Sequence, residues 1–172
     1  MGTRCAFRAA MRSRASIAGH PLHPAAVAIP IGAFTIVLLA DLAALAGGDA
    51  GAVRWGPTAS FALGVGIVGA LLAAGLGFID YFKVTFSNAG FRLARLHMMF
   101  NLVAVGLMAL SFWLRWSDPD GWCVPGFVAS TVGFAILGAS GYLGGEMVFK
   151  HKIGVVENAD PEATELGKKD AR

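Results

Sequence analysis

The sequence predicts an all-α integral membrane protein, built as a bundle of four helices. Of its 172 residues, 56% are hydrophobic and only 15% are charged, and the mean hydropathy is +0.63. In soluble domains about a quarter of the residues are charged. Four apolar runs, each long enough to cross the hydrocarbon core of a bilayer, are separated by polar stretches. These runs occupy most of the chain, so no second domain is predicted.

The domain organisation follows from the four runs. Residues 1–24 form a basic cytoplasmic arm, residues 25–149 form the membrane domain, and residues 150–172 form a polar cytoplasmic tail. Within the membrane domain we predict transmembrane helices at about 25–46, 59–79, 93–114 and 125–149. The connecting loops are then residues 47–57, 80–95 and 115–123, the last of which contains the turn-forming sequence Asp-Pro-Asp-Gly.

The first helix is preceded by arginines and no acidic residue, which is also the pattern of a cleaved signal peptide. Residues 25–46, however, span about 33 Å as an α-helix, which is enough to cross a bilayer. We therefore predict a retained first helix. Pro24 suits its first turn, and Pro30 predicts a kink.

Small residues recur every fourth position in the second helix, in two rows. One row is Ala62, Gly66, Ala70 and Ala74, and the other is Gly69, Ala73 and Gly77. Small side chains let helices approach closely in lipid, so we expect this helix to pack against two neighbours. The same property allows a homodimer.

Orientation is predicted from the basic residues. The two ends of the chain and the middle loop hold 12 of the 14 lysines and arginines, and only Arg54 and Arg115 fall on the other side. Basic loops face the cytoplasm. The four tryptophans then lie at the opposite interface. The pattern predicts a multi-pass protein of the bacterial inner membrane with both termini cytoplasmic, and it explains the net charge of +3 without any binding to nucleic acid.

All four histidines are predicted at the cytoplasmic face: His20, His23, His97 and His151. Neutral imidazole is a common ligand of haem iron and of transition-metal ions, so these residues are candidate ligands for haem b or for a metal ion. Around them, Arg92 and Arg95 could pair with propionates, Asn101 could satisfy a buried polar group, and Asp80 and Glu146 could orient an imidazole.

The alternative is that no cofactor is bound. The histidines are then solvated or capping residues, the arginines follow the positive-inside rule, and Glu146 pairs with Lys150 one turn later. Asp41 lies inside the first helix, where an acid is either a proton or ion relay or close enough to the boundary to reach water. No catalytic residues are predicted, because no phosphate-binding loop or nucleophile–base pair occurs. The two cysteines, Cys5 and Cys123, predict neither a disulfide framework nor a thiolate site.

Four motifs, one for each predicted helix, carry a family resemblance: GHPLHP at 19–24, GFID at 77–80, ARLHMMFN at 94–101 and GYLGGEMVFKHKIGV at 141–155. In these the chain resembles the uncharacterised bacterial membrane-protein family known as domain of unknown function 2231. The resemblance implies a four-helix membrane protein. Some members of the family are joined to Rieske-type iron–sulfur domains, which implies a location near respiratory redox proteins, although no Rieske ligand set occurs in this chain.

Three functions are compatible with these patterns. The first is a haem- or metal-binding component of electron transfer, with His97 and one or more of the other histidines as ligands. The second is a cofactor-free structural or accessory subunit. The third is a small-molecule or ion permease, which is weaker because Asp41 is the only charge predicted within the spans.

Overall fold

The computed structural model describes residues 15–18, 20–83, 88–151 and 153, and these are mostly helical. The elements in chain order are strands β1 (Ser16–Ile17) and β2 (His20–Pro21), the short helix α1 (Leu22–Ala26), and the long helices α2 (Ala28–Lys83), α3 (Asn88–Trp116) and α4 (Val124–Phe149). The two strands form an antiparallel pair with Ser16 opposite Pro21. Apart from this strand pair the described elements are helical, in agreement with the coarse helical prediction.

A break between α1 and α2 falls at Val27, one turn before Pro30. Proline lacks an N–H group, and its ring clashes with the carbonyl four residues earlier, which here belongs to Ala26. The hydrogen bonds nevertheless continue across the break, because the Val27 N–H donates to the His23 carbonyl at 3.1 Å and the Ile31 N–H donates to the Val27 carbonyl at 3.2 Å. The kink predicted from Pro30 is therefore present one turn upstream.

Helix α2 reverses direction at Gly48, whose φ of 59° and ψ of −144° are not helical. Its two arms, residues 28–47 and 49–83, run antiparallel, since Gly66 faces Phe34 and Gly69 faces Ile29. Glycine reaches positive φ without the steric penalty of a Cβ, so one residue makes the reversal. The structure thus differs from the loop predicted at residues 47–57, of which residues 49–57 are helical.

The other two connections differ in how well they were predicted. Most of the loop expected at residues 80–95 is helical, because α2 continues to Lys83 and α3 begins at Asn88. The last connection matches its prediction. There Asp118 Oδ1 accepts the Asp120 N–H at 3.0 Å, and Gly121 has a φ of 66°. An Asp side chain that bonds the backbone two residues on is a turn-forming device.

The core consists of apolar side chains from both arms of α2 and from α3. Phe34, Val37, Leu63 and Met108 are almost completely buried, and Ala62 and Ala70 fill the spaces between them. A Cβ at Gly66 would overlap the Phe34 ring, and one at Gly69 would lie 2.7 Å from Ile29 Cγ2. The prediction that both glycines face neighbouring helices is confirmed.

In the described part of the chain, three helical stretches are long and apolar enough to cross a membrane: Leu22–Phe82, Gly90–Trp116 and Val124–Phe149. Their outer surfaces carry exposed aliphatic and aromatic side chains, such as Leu39, Phe61 and Leu72. Exposed apolar surface on this scale is unfavourable in water and favourable against lipid tails. The fold is therefore that of a membrane protein.

Candidate cofactor site

His23 lies in α1 and points at the second arm of α2. Its Nδ1 is 2.8 Å from the carbonyl oxygen of Ala73. Its ring also packs on Gly77, where a Cβ would come within 3.1 Å of the ring atoms. The small-residue row of α2 therefore provides both the surface for the imidazole and the carbonyl that anchors it.

His97 lies in the second turn of the span of α3 and points at α4. Its Nδ1 is 2.8 Å from the Ser140 carbonyl oxygen and 3.0 Å from Ser140 Oγ. The ring packs on Gly144, whose Cβ would come within 3.1 Å of His97 Cε1. One turn later, Asn101 Nδ2 lies 3.0 Å from His97 Nε2. The predicted role of Asn101, satisfying a buried polar group, matches this contact.

The two imidazoles meet each other, with ring centroids 6.5 Å apart and ring planes at 88°. A backbone carbonyl can only accept a hydrogen bond, so Nδ1 of each ring carries the proton. In the neutral form of either ring the lone pair is then on Nε2. For His23 this atom has no hydrogen-bond partner within the described part of the chain. Imidazoles oriented through Nδ1–H in this way are well prepared to bind a metal through Nε2.

The other two histidines lie apart from this pair in every contact that the structure gives them. His20 is exposed, and its Nδ1 lies 3.2 Å from the Ala18 carbonyl oxygen. His151 follows α4, where its backbone N–H donates to the Glu146 carbonyl at 3.3 Å. Within residues 15–18, 20–83, 88–151 and 153, no three His, Cys, Asp or Glu side chains are grouped as a metal site requires. The structure therefore brings together two of the four predicted histidines.

The predicted charged residues around the site have partners other than imidazoles. Arg92 and Arg95 are both exposed, and the Arg95 guanidinium lies 5.9 Å from the centre of the Phe91 ring. Asp80 Oδ1 accepts the Ala15 N–H at 3.0 Å, which ties the segment before β1 to the end of α2.

Glu146 forms an ion pair with Lys150 and accepts the Tyr142 hydroxyl at 3.1 Å. The hydrogen bond to Glu146 raises the pKa of Lys150, which follows the last helix. This i,i+4 pair is the alternative that the sequence suggested for Glu146.

A second polar cluster lies at the other end of the helices. Arg115 donates from both terminal nitrogens to Asp41, at 2.6 Å and 2.7 Å, and Ser130 Oγ donates to Asp41 Oδ2 at 2.9 Å. Arg115 Nε donates to Ser111 Oγ at 3.2 Å, and that hydroxyl donates to the Gly126 carbonyl at 2.6 Å. Every charged group in this cluster is thus paired and hydrogen-bonded.

The structure places both charges away from water. Asp41 is fully buried, which excludes the alternative in which it reaches water. Arg115, predicted as the first residue of the last loop, belongs to α3 and is 2% exposed. An isolated charge would be very unfavourable at such a position, but a bidentate arginine–carboxylate pair is neutral overall and retains its hydrogen bonds. Sequence reasoning missed this pair because it treated each charge separately.

Comparison with known proteins gives one relationship. A family model described as a predicted membrane protein, DUF2231, matches residues 19–157, which include both polar clusters. No curated protein and no solved structure matches the chain. The matched segment covers most of the chain and contains the four motifs on which the resemblance was based, so this protein belongs to the DUF2231 family of predicted membrane proteins.

Proposed function

We propose that the protein crosses a bacterial inner membrane four times, as a four-helix bundle with both termini in the cytoplasm. The stretch Leu22–Phe82 would be about 92 Å long as one straight helix, roughly three times the hydrocarbon thickness. The reversal at Gly48 divides it into two arms that can each span. The basic residues support the orientation, since Arg115, one of only two on the opposite side, is neutralised by Asp41.

Reporter fusions test this topology. Reporters inserted after Asp49 and after Ser117 should be found outside the cytoplasm. A reporter fused after Arg172 should be found inside it. Asp49 adjoins the exposed reversal and Ser117 is exposed in the last connection, so both insertions avoid the core. A reporter that is active on the same side after Asp49 and after Arg172 would contradict the four-span arrangement.

We further propose that the protein binds haem or a transition-metal ion between His23 and His97 and serves in electron transfer, with respiratory redox proteins as its partners. The observation that supports this function is the pair itself: two imidazoles from different helices, each fixed through Nδ1–H to a backbone carbonyl, with ring centroids 6.5 Å apart. Both rings are therefore held in place before any ligand arrives.

Asn101 bears directly on this function. Its amide donates to His97 Nε2, the same lone pair that a metal would use. Coordination would release this amide, at a cost comparable to one neutral hydrogen bond, about 0.5–1.5 kcal/mol. A metal–imidazole bond is much stronger, so the Asn101 contact does not prevent coordination.

The alternative is a cofactor-free accessory subunit, and the Asn101 contact is the observation that favours it. In that case the hydrogen bonds to Ala73, Ser140 and Asn101 serve to satisfy two partly buried imidazoles. A permease is less well supported, because Phe34, Leu63 and Met108 fill the space between the His pair and the Asp41–Arg115 pair.

Analysis of the purified protein separates these functions. Protein isolated from its native membrane should contain a stoichiometric cofactor, seen either as a haem absorbance spectrum or as a metal by elemental analysis. His23→Ala and His97→Ala should each reduce its occupancy at least tenfold, since each removes a ligand. His20→Ala and His151→Ala are matched controls and should retain it. Native protein with neither haem nor metal would refute the proposal and leave the accessory subunit.

A further inference from the structure

In each half of the chain the same number of residues separates the histidine of one polar cluster from the charged residue of the other. Asp41 follows His23 by 18 residues, and Arg115 follows His97 by 18 residues. Eighteen residues make about five turns, or about 27 Å of helix. His97 and Arg115 therefore share one face of α3, and His23 and Asp41 have the same separation across the break at Val27, over which the backbone hydrogen bonds continue. The histidines contact each other at one end of the bundle, and the charged residues contact each other at the other end.

The second helix of each half repeats a common arrangement around its histidine. His23 bonds to the Ala73 carbonyl at 2.8 Å and packs on Gly77, four residues later. His97 bonds to the Ser140 carbonyl at 2.8 Å and packs on Gly144, also four residues later. In both cases a Cβ on the glycine would stand 3.1 Å from Cε1 of the ring.

The correspondence continues into the core. Phe34 follows His23 by 11 residues and Met108 follows His97 by 11, and both belong to the same buried cluster. Gly66, which faces Phe34, precedes Ala73 by seven residues. Gly133, which faces Met108, precedes Ser140 by seven.

These matches relate two helical hairpins that run in the same direction. The first arm of α2 and α3 both run from the histidine end to the charged end, and the second arm of α2 and α4 both return. Parallel repeats of this kind are related by a two-fold axis along the membrane normal. Equivalent residues can touch each other only next to that axis. His23 and His97 do so at one end, and Asp41 and Arg115 do so at the other.

We infer that the ligand of the histidine pair is a single metal centre on this axis, held on opposite sides by one imidazole from each hairpin. The inference deepens the proposed function and rests on it. A metal–nitrogen bond of about 2.0–2.1 Å places two ring centroids about 6.5 Å apart when the ligands are opposite, and about 5 Å apart at a tetrahedral angle. The observed separation of 6.5 Å fits the opposite arrangement, which requires that the Asn101 amide leave His97 Nε2.

Opposite imidazoles restrict the class of ligand. They suit a metal whose remaining positions lie in the plane between them, as in a haem, or a monovalent copper ion that takes only two ligands. They do not suit tetrahedral zinc, which would also need two further protein ligands. Within the described ranges no third His, Cys, Asp or Glu joins the pair.

Titration of the full-length protein in detergent tests the inference, with ferric haem, monovalent copper and zinc as the probes. One equivalent of haem should give a six-coordinate low-spin spectrum. His23→Ala and His97→Ala should each convert this to the same five-coordinate high-spin spectrum, because one imidazole remains in either variant. Added free imidazole should restore the low-spin form in both variants, which a merely misfolded protein would not do. If copper is the ligand instead, it should bind at one equivalent, and each variant should weaken it by more than about 100-fold.

Two kinds of failure remain distinguishable. If the two variants differ, so that only one of them loses the ligand, the symmetric site is refuted while a cofactor is still bound. The same holds if zinc binds more tightly than both other probes. If none of the three probes binds, and the native protein also lacks a cofactor, the proposed function itself is refuted.

Discussion

Replacing Arg115 with methionine is expected to lower the free energy of unfolding by about 3–5 kcal/mol. The substitution leaves Asp41 fully buried, and among the described residues the Ser130 hydroxyl is then its remaining hydrogen-bond donor. Losing one partner of a buried ion pair costs this much because the remaining charge has been removed from water and is no longer compensated. Thermal and denaturant unfolding in detergent micelles would measure the loss.

Two further variants separate the ion pair from the arginine side chain as such. Arg54→Met removes an exposed arginine at the same end of the bundle, where the guanidinium lies 5.6 Å from the centre of the Trp55 ring, and it should change stability by less than about 1 kcal/mol. Asp41→Leu combined with Arg115→Met should be more stable than Arg115→Met alone, since no unpaired charge remains. A single Arg115→Met variant that unfolds like the wild type would show that the pair contributes nothing.

The pair also explains why the two ends of the bundle differ. In the second hairpin, Ser111 and Ser130 supply hydrogen bonds to Arg115 and Asp41. The corresponding positions of the first hairpin, Val37 and Leu63, are equally buried but apolar. One hairpin thus carries the polar groups that a buried charge pair needs. At the histidine end both hairpins supply a carbonyl and a glycine. His97 also contacts the Asn101 amide, and the corresponding residue of the first hairpin is Val27, so the two halves differ there in this one contact.

The helical fold was predictable because its signals are local. Apolar runs with few charges, prolines near helix starts and the Asp-Pro-Asp-Gly turn each act within a few residues. The reversal at Gly48 was misjudged because residues 47–57, most of which are small or charged, lie between two apolar runs and resemble a loop. Only the backbone shows that a single glycine turns the chain and that Asp49 already belongs to the next helical arm.

The site was predictable only in part. Four histidines at one face were candidates, and which two of them meet depends on how the helices pack, which no local pattern reports. A usable signal was nevertheless present, since His23 and Asp41 have the same separation as His97 and Arg115. The count of basic residues used to predict orientation hid this equal spacing. It places Arg115 at the end of a span and takes no account of a partner for its charge.

Gly66→Leu is expected to cause the second large loss of stability. Even a Cβ at this position would overlap the Phe34 ring, and leucine adds three further carbons at the centre of the core. The helices would have to separate, giving up contacts along the whole crossing, or Phe34 would have to leave its place. Overpacking typically costs about 1–3 kcal/mol, and we expect the upper end of that range because the obstructing group is a fully buried ring.

Gly75→Leu is the matched control, because Gly75 lies on the same arm of α2, is exposed, and has no atom within 4 Å of the position of its Cβ. It should leave the melting temperature in detergent nearly unchanged. Phe34→Ala added to Gly66→Leu should recover part of the lost stability, since the leucine would then occupy the space that the ring vacates, whereas Phe34→Ala alone should cost about 3–5 kcal/mol. Equal melting temperatures for Gly66→Leu and Gly75→Leu would mean that residue 66 faces lipid and that the two arms of α2 do not pack through this glycine.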